Sequence, residues 1–287
     1  SPASPIANRG WAPQAAAQMA SQYRGKLHHT YKHALNGFAA EMAKDDVASL
    51  LSDPRVKYVE EDAEVHLASV QSDPPSWGLS RISERQLDLP KPYNYPDSAG
   101  EGVDVYVLDS GVYAEHPDFG GRASRVLNLI PTNREPATDF SGHGTHVMGI
   151  IGSNTYGVAK KANLLSIKAL NRFGQGLMSD ILVGINYVTE HARPGKTVLN
   201  LSVTGPQSIA VNEAVSATYN AGVVVVVAAG NDGLDACNFS PGSAFGAIVV
   251  GATDNTDTIA SWSNYGSCVT LFAPGVEIQS TWIPVPP

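Results

Sequence analysis

Val105-Tyr106-Val107-Leu108-Asp109-Ser110-Gly111-Val112 sets four apolar residues directly ahead of a carboxylate. A run of this kind reads as a β-strand buried on both faces, with Asp109 at its carboxyl edge and Gly111 letting the chain turn away. Taken alone, the aspartate fits a helix-capping role in an ordinary strand-to-helix turn equally well. The run belongs to a series. Val103–Leu108, Leu164–Leu170, Thr197–Val203, Val223–Ala229 and Ile248–Gly251 are all apolar and rich in β-branched residues, and His143–Ile151, Ser179–His191 and Ile209–Asn220 between them carry helical spacing. Strands buried on both faces and joined by helices predict an α/β fold with a mostly parallel, doubly wound sheet. Ligand sites in such sheets lie at the carboxyl ends of the strands, so chemistry is expected just after the apolar runs.

Residues 1–69 read differently from residues 70–287. Ala12–Tyr23 has the pattern of a helix, Leu27–His33 and Gly37–Met42 of strands, and Lys44–Leu51 of a second helix with Asp45 and Asp46 in its first turn, where acidic groups favour the helix dipole. Val56–His66 reads as a closing strand, giving a small α+β unit. Ser69–Ser76, with Ser, Gln, Asp and two prolines, has the composition of a linker.

Composition removes several classes of function. Hydrophobic residues make up 43% of the 287 and charged residues 16%, the balance of a globular chain. Nineteen Lys+Arg against 27 Asp+Glu leave a net charge of −8, which argues against nucleic acid as a partner. The longest unbroken apolar run, Val223–Ala229, is far too short to cross a membrane. Ser1-Pro2-Ala3-Ser4-Pro5 has neither the basic nor the apolar region of a signal peptide. Cys237 and Cys268 form no CxxC motif and read on their own as unpaired core thiols.

Two further stretches carry chemistry. In Asp139-Phe140-Ser141-Gly142-His143-Gly144-Thr145-His146-Val147-Met148-Gly149, glycines flank His143 where a helix begins, which holds an imidazole on a rigid element yet open to a cleft. His146 lies one turn further along and reads as a packed histidine, since no acid stands between the two as in the HExxH metal motif. A metal-dependent hydrolase using His143 and His146 is the weakest of the readings. Val223–Ala229 ends in Gly230-Asn231-Asp232, and the Asn231 amide either donates to an oxyanion or is plain turn material.

An Asp, then Gly-His-Gly-Thr-His, then Ala-Ala-Gly-Asn, in that order, resembles the subtilisin-like serine proteases of the proteinase K and aqualysin branch. Trp77-Gly78-Leu79-Ser80-Arg81-Ile82, Ser261-Trp262-Ser263-Asn264-Tyr265-Gly266 and Phe272-Ala273-Pro274-Gly275 extend the resemblance over residues 77–283. Tyr31-Lys32-His33-Ala34-Leu35-Asn36-Gly37-Phe38-Ala39-Ala40 and Val56-Lys57-Tyr58-Val59-Glu60-Glu61-Asp62 are similar to the inhibitory propeptide of these enzymes, a ferredoxin-like chaperone and inhibitor whose C-terminal tail enters the cleft. The implied domains are a propeptide over 1–69, without the family's first strand before Ala12, and a peptidase domain over 70–287, with processing near His66–Val70.

The resemblance implies a secreted endopeptidase acting on proteins and peptides. Asp109 would orient His143, His143 would take the proton of a serine nucleophile, and Asn231 would donate to the oxyanion. Substrate would lie extended between Gly174-Gln175-Gly176 and Ser202-Val203-Thr204-Gly205. Thr204 stands where the family usually has glycine and is expected to narrow the cleft. A Cys237–Cys268 disulfide is implied as well. No cofactor is required, and the calcium known in this branch lacks support because Thr270 replaces the usual aspartate. Asn200-Leu-Ser202 and Asn238-Phe-Ser240 fit the N-glycosylation pattern, with Asn200 expected in a buried strand and Asn238 the better acceptor.

The nucleophile is missing. The family carries it in a Gly-Thr-Ser-Met-Ala segment, which would fall just past Pro287, and no Gly-Thr-Ser-x-Ala occurs in these 287 residues. Ser280, in Gln279-Ser280-Thr281-Trp282, matches a non-catalytic serine. The chain therefore reads as an incomplete proenzyme that is inactive as given and whose sheet is left with uncovered apolar surface. The alternative is a natural non-catalytic relative acting as an inhibitor or binding module.

Overall fold

A computed structural model of the chain describes residues 12–31, 35–62, 68–131 and 135–284. It divides into two compact units, Ser1–Val65 and His66–Pro287.

In the first unit α1 (Ala12–Gln22) packs against an antiparallel pair, β1 (Lys26–Tyr31) and β2 (Gly37–Glu41). Ala15, Ala16, Met19 and Ala20 are its buried face, a stripe at helical spacing. Next comes α2 (Lys44–Leu51), whose first turn holds Asp45 and Asp46. Asp46 pairs with Arg24, and Asp53 accepts from the Tyr23 hydroxyl at 2.8 Å and from Arg55 Nε at 2.8 Å. The expected closing strand is not formed over 56–62, and 63–66 lie outside the described residues. Val56 and Val59 are partly buried while Lys57, Tyr58 and Glu60-Glu61-Asp62 are exposed, so the segment presents no alternating buried face. The question of a strand before Ala12 also falls outside the described residues.

The second unit opens with β3 (Ala68–Gln71), antiparallel to β4 (Tyr93–Pro96), and α3 (Trp77–Ile82) between them. The start of the supposed linker is thus a paired strand. β5 (Asp104–Asp109), β6 (Ala123–Asn128), α4 (His143–Gly152), β7 (Asn163–Lys168), α5 (Met178–His191) and β8 (Thr197–Leu201) follow. Then come β9 (Gly205–Pro206), α6 (Ile209–Asn220), β10 (Val224–Ala228), β11 (Phe239–Ser240), β12 (Ala247–Thr253) and β13 (Leu271–Pro274). Seven strands form one sheet in the order β13-β12-β10-β8-β5-β7-β6, all pairs parallel; β9 and β11 make a short antiparallel pair beside it.

The winding positions the site. The sheet starts at β5, builds β6 and β7 on one side, then crosses to β8 and continues outward on the other. A crevice opens at the carboxyl ends of the strands where winding reverses, and Asp109 is the last residue of β5. Beneath the crevice, Leu108, Leu199, Leu201, Val225 and Val227 pack against Ile185 and Val188 of α5 and Val211 and Val215 of α6. Val105 and Val107 face Met148 of α4, with Phe119 and Leu164. Each of these buried side chains contributes about 1.5–3 kcal/mol.

Candidate active site

Asp109 is fully buried, and its Oδ1 and Oδ2 lie 2.8 and 2.9 Å from His143 Nδ1. A carboxylate only accepts hydrogen bonds, so Nδ1 donates and Nε2 is left as the basic nitrogen. Oδ1 also accepts from Ser110 N at 2.6 Å. His143 opens α4 and its side chain is 51% exposed. The hydrogen bond that His143 donates to Asp109, reinforced by the charges of Asp109 and Asp139, raises the His143 pKa above its ordinary value, with burial opposing in part.

Glycine is required on both sides of the imidazole. Gly142 caps the helix at φ +90, and a Cβ there would lie 2.4 Å from the Trp282 ring; a Cβ on Gly144 would lie 2.2 Å from the Gly111 carbonyl oxygen. A residue the sequence reading left without a role fastens this turn. Buried Asp139 accepts at Oδ1 from Ser110 Oγ (3.0 Å), Ser141 N (2.9 Å) and Gly142 N (2.9 Å). At Oδ2 it accepts from Thr145 N (3.0 Å) and Thr145 Oγ1 (2.7 Å). Its charge sits where helix N–H groups point outward, which is favourable.

His146 is engaged elsewhere: its Nε2 lies 3.1 Å from the Ile278 carbonyl, its ring meets Trp282 edge-on, and burial pushes its pKa down. Ser280 donates to the His146 carbonyl at 2.7 Å, tying this serine to the backbone of α4. Among the described residues no three His, Cys, Asp or Glu side chains gather into a cluster that could hold a metal.

Asn231 leaves the end of β10 through Gly230, at φ +108, and is exposed. The loop is gripped by buried Asn264, whose Nδ2 donates to the Ala229 carbonyl at 2.9 Å while its Oδ1 accepts from Asp232 N and Leu234 N, each at 3.0 Å. Registers matching Val107 to Asn200 and Asn200 to Val226 place Asp109 level with Ala228, two strands away, a separation of roughly 10 Å. The structure therefore brings Asp109 and His143 into contact and sets Asn231 on the same sheet edge. Among the described residues no hydrogen bond joins the Asn231 amide to either of them.

The two expected substrate edges differ. Gly174-Gln175-Gly176 lies in a closed turn: Asn171 N donates to the Gln175 carbonyl (2.9 Å), and Asn171 Oδ1 accepts from Gln175 N (3.1 Å). Ser202-Val203-Thr204 sits outside any ladder, between β8 and the Gly205 that begins β9. Thr204 is exposed, with its methyl 3.5 Å from where a Cβ on Gly230 would be. Cys237 and Cys268 are joined, S–S 2.11 Å, so the reading of unpaired thiols made from the cysteines alone is overturned. Thr270 Oγ1 accepts from Val249 N at 3.1 Å and offers no carboxylate to a cation. Asn238 is exposed, and Asn200, half-buried in β8, donates to Ser202 Oγ at 3.0 Å.

A carboxylate–imidazole pair at the switch point of a doubly wound parallel sheet defines an α/β protein equipped for proton transfer. Comparison with known proteins carries this further. Residues 100–284 match the model of the Subtilase family, and residues 8–68 match that of Peptidase inhibitor I9. The chain is 46% identical over 257 residues to Subtilisin-like protease 2 of Pseudogymnoascus destructans, covering 88% of this chain and 64% of the relative. It is 45% identical over 263 residues to Proteinase R of Parengyodontium album, covering 90% and 66%. With the Extracellular serine proteinase of Thermus sp. it shares 46% over 258 residues, covering 90% and 62%. A crystal structure of a cold adapted subtilisin-like serine proteinase aligns with a TM-score of 0.67 at 42% identity, covering 72% of this chain and 74% of that one. The chain belongs to the subtilase family and carries an I9 inhibitor domain ahead of its peptidase domain. It spans a little under two thirds of the length of these curated relatives.

Proposed function

We propose that this sequence is part of a secreted serine endopeptidase proenzyme that hydrolyses peptide bonds in proteins. The observation that carries the reading is the His143 Nδ1–Asp109 contact at 2.8 and 2.9 Å on a half-exposed ring. In the proposed mechanism Asp109 fixes the tautomer and stabilises the imidazolium. His143 Nε2 takes the proton of a serine hydroxyl as that oxygen attacks the peptide carbonyl, and later returns it to the leaving amine. The Asn231 amide donates to the oxyanion, a role worth about 10²–10³ in rate in subtilisin. The extended peptide pairs with the backbone at Ser202–Gly205 and passes Gly174–Gly176, and the I9 unit serves as chaperone and inhibitor of the cleft. No step calls on a cofactor or a calcium ion.

The 287 residues contain no Gly-Thr-Ser-x-Ala segment, so this chain by itself is proposed to hydrolyse nothing. Loss of the serine in subtilisin costs about 10⁶ in kcat. An extracellular setting is supported by the disulfide and by the name of the Thermus relative. The test is to extend the chain with a Gly-Thr-Ser-x-Ala segment and the helix it opens, then assay casein. Hydrolysis that a serine-directed phosphonate abolishes is the expected result. A folded extended chain that leaves casein intact overturns the endopeptidase reading and favours a non-catalytic inhibitor or binding module.

A further inference from the structure

Lys168 is 1% exposed, ends β7, and is the register partner of Asp109 on the neighbouring strand. A buried ammonium has three N–H groups to satisfy. Nζ donates to the Ser110 carbonyl at 2.6 Å and the Leu170 carbonyl at 3.1 Å, and lies 3.3 Å from Glu135 Oε2. Glu135 is itself buried, and its other oxygen accepts from Arg172 N at 3.1 Å and Arg172 Nε at 2.9 Å.

Ser110 is the piece this cluster holds. Its N–H donates to Asp109 Oδ1, its Oγ accepts from Gly144 N at 2.9 Å and donates to Asp139, and its carbonyl is taken by Lys168. One residue thus touches the aspartate through its N–H, the helix that begins with His143 through its hydroxyl, and the buried ammonium through its carbonyl. A buried ion pair adds little net stability over an apolar pair of the same volume, whereas a carbonyl fixed from below restricts how the next groups are aimed.

We infer that Lys168 is a positioning residue for the Asp109–His143 pair, acting through the Ser110 peptide, with Glu135 as its counter-charge. The inference rests on reading Asp109 and His143 as a working acid–base pair. Nuclear magnetic resonance of the full chain tests both, through the low-field proton shared by His143 Nδ1 and Asp109. Lys168→Met combined with Glu135→Gln removes the cation and its counter-charge together, so no lone charge is left buried. The control is Arg193→Met combined with Asp104→Asn, which removes an ion pair at the opposite end of β5.

The expected result is loss of the His143 resonance in the first double variant, while the control and Glu135→Gln alone retain it. Where the double variant does not fold, Lys168→Gln, whose shorter amide falls short of the Ser110 carbonyl, supplies the same readout. A resonance unchanged when Lys168 is replaced overturns the positioning role and leaves the Asp109–His143 reading standing. Absence of the resonance from the unsubstituted chain overturns both.

Discussion

Val225 and Val227 point from β10 towards α5 and α6 and are 1% and 2% exposed, whereas Val224, on the opposite side of the same strand, is 44% exposed. Ile248 and Val250 of β12 share that opposite side and are only partly buried, as is Val226. Under β5 and β7 the same side is fully covered, because α4 packs there and buries Val105, Val107 and Leu164. One face of the sheet is therefore closed from β7 to β12, and the other is closed under β5 and β7, where α4 lies. The chemistry follows the packing: the close contact of the site, Asp109 with His143, sits where α4 meets β5, and Asn231 sits above the part that α4 does not reach. Strands alone do not make this site; the element laid on them does.

The largest effect that sharpens the comparison is chemical. In a version of the chain carrying the nucleophile, Asp109→Asn should lower kcat about 10⁴-fold, because the amide favours the wrong imidazole tautomer. Steady-state assays on a peptide substrate check it. Next comes packing on the closed face, where Leu201→Ala should cost about 2–5 kcal/mol in denaturant unfolding of the peptidase unit. Reduction of Cys237–Cys268 should cost roughly 4 kcal/mol, from the 31-residue separation that the bond closes, and the unfolding midpoint with and without reductant measures it.

The two histidines of α4 should titrate on opposite sides of pH 6.5. The His143 pKa is raised by Asp109, so its contribution to stability is complete below 6.5 and is lost as pH rises through the folded value. The His146 pKa is lowered by burial, so its contribution holds above 6.5 and is lost as pH falls through the folded value. Imidazole C–H shifts followed by NMR report both, and Asp109→Asn should bring His143 down without moving His146 above 6.5. The smallest effect is expected on the open part of the sheet. Val224→Thr should change stability by no more than about 0.5 kcal/mol; a loss as large as that of Leu201→Ala would show that the two faces are equally closed.

The same contrast explains which parts of the fold were legible in the sequence. β5, β7, β8, β10 and β12 lie inside the sheet and announce themselves as apolar runs rich in β-branched residues. β6 and β13 are the edge strands and went unrecognised as strands. β6 reads Ala123-Ser124-Arg125-Val126-Leu127-Asn128, with Arg125 pairing with Glu115 and donating to the Val112 carbonyl at 3.1 Å. β13 is four residues long and ends in a proline, which an edge strand tolerates. Leu27–His33 and Gly37–Met42 match β1 and β2 nearly to their described ends, whereas the described part of Val56–His66, residues 56–62, forms no strand.

Local pattern and family resemblance together pointed to the Asp109–His143 contact and the Cys237–Cys268 bond, since each of these residues stands in a motif that its neighbours define. Asp139, Asn264 and Lys168 were not readable in this way. Asp139 matters because Ser110, from 29 positions earlier, comes to meet it. Asn264 matters because Ala229 ends 35 positions away with a free carbonyl, and Lys168 because Ser110, 58 positions off, does the same. Residue order determined the strand and helix periods, the charge balance and the identities of the candidate site residues, all of which are properties of neighbours along the chain. Only the folded structure decided which of those groups touch, since a hydrogen bond of 2.8 Å depends on two distant backbones being held in register by everything packed beneath them.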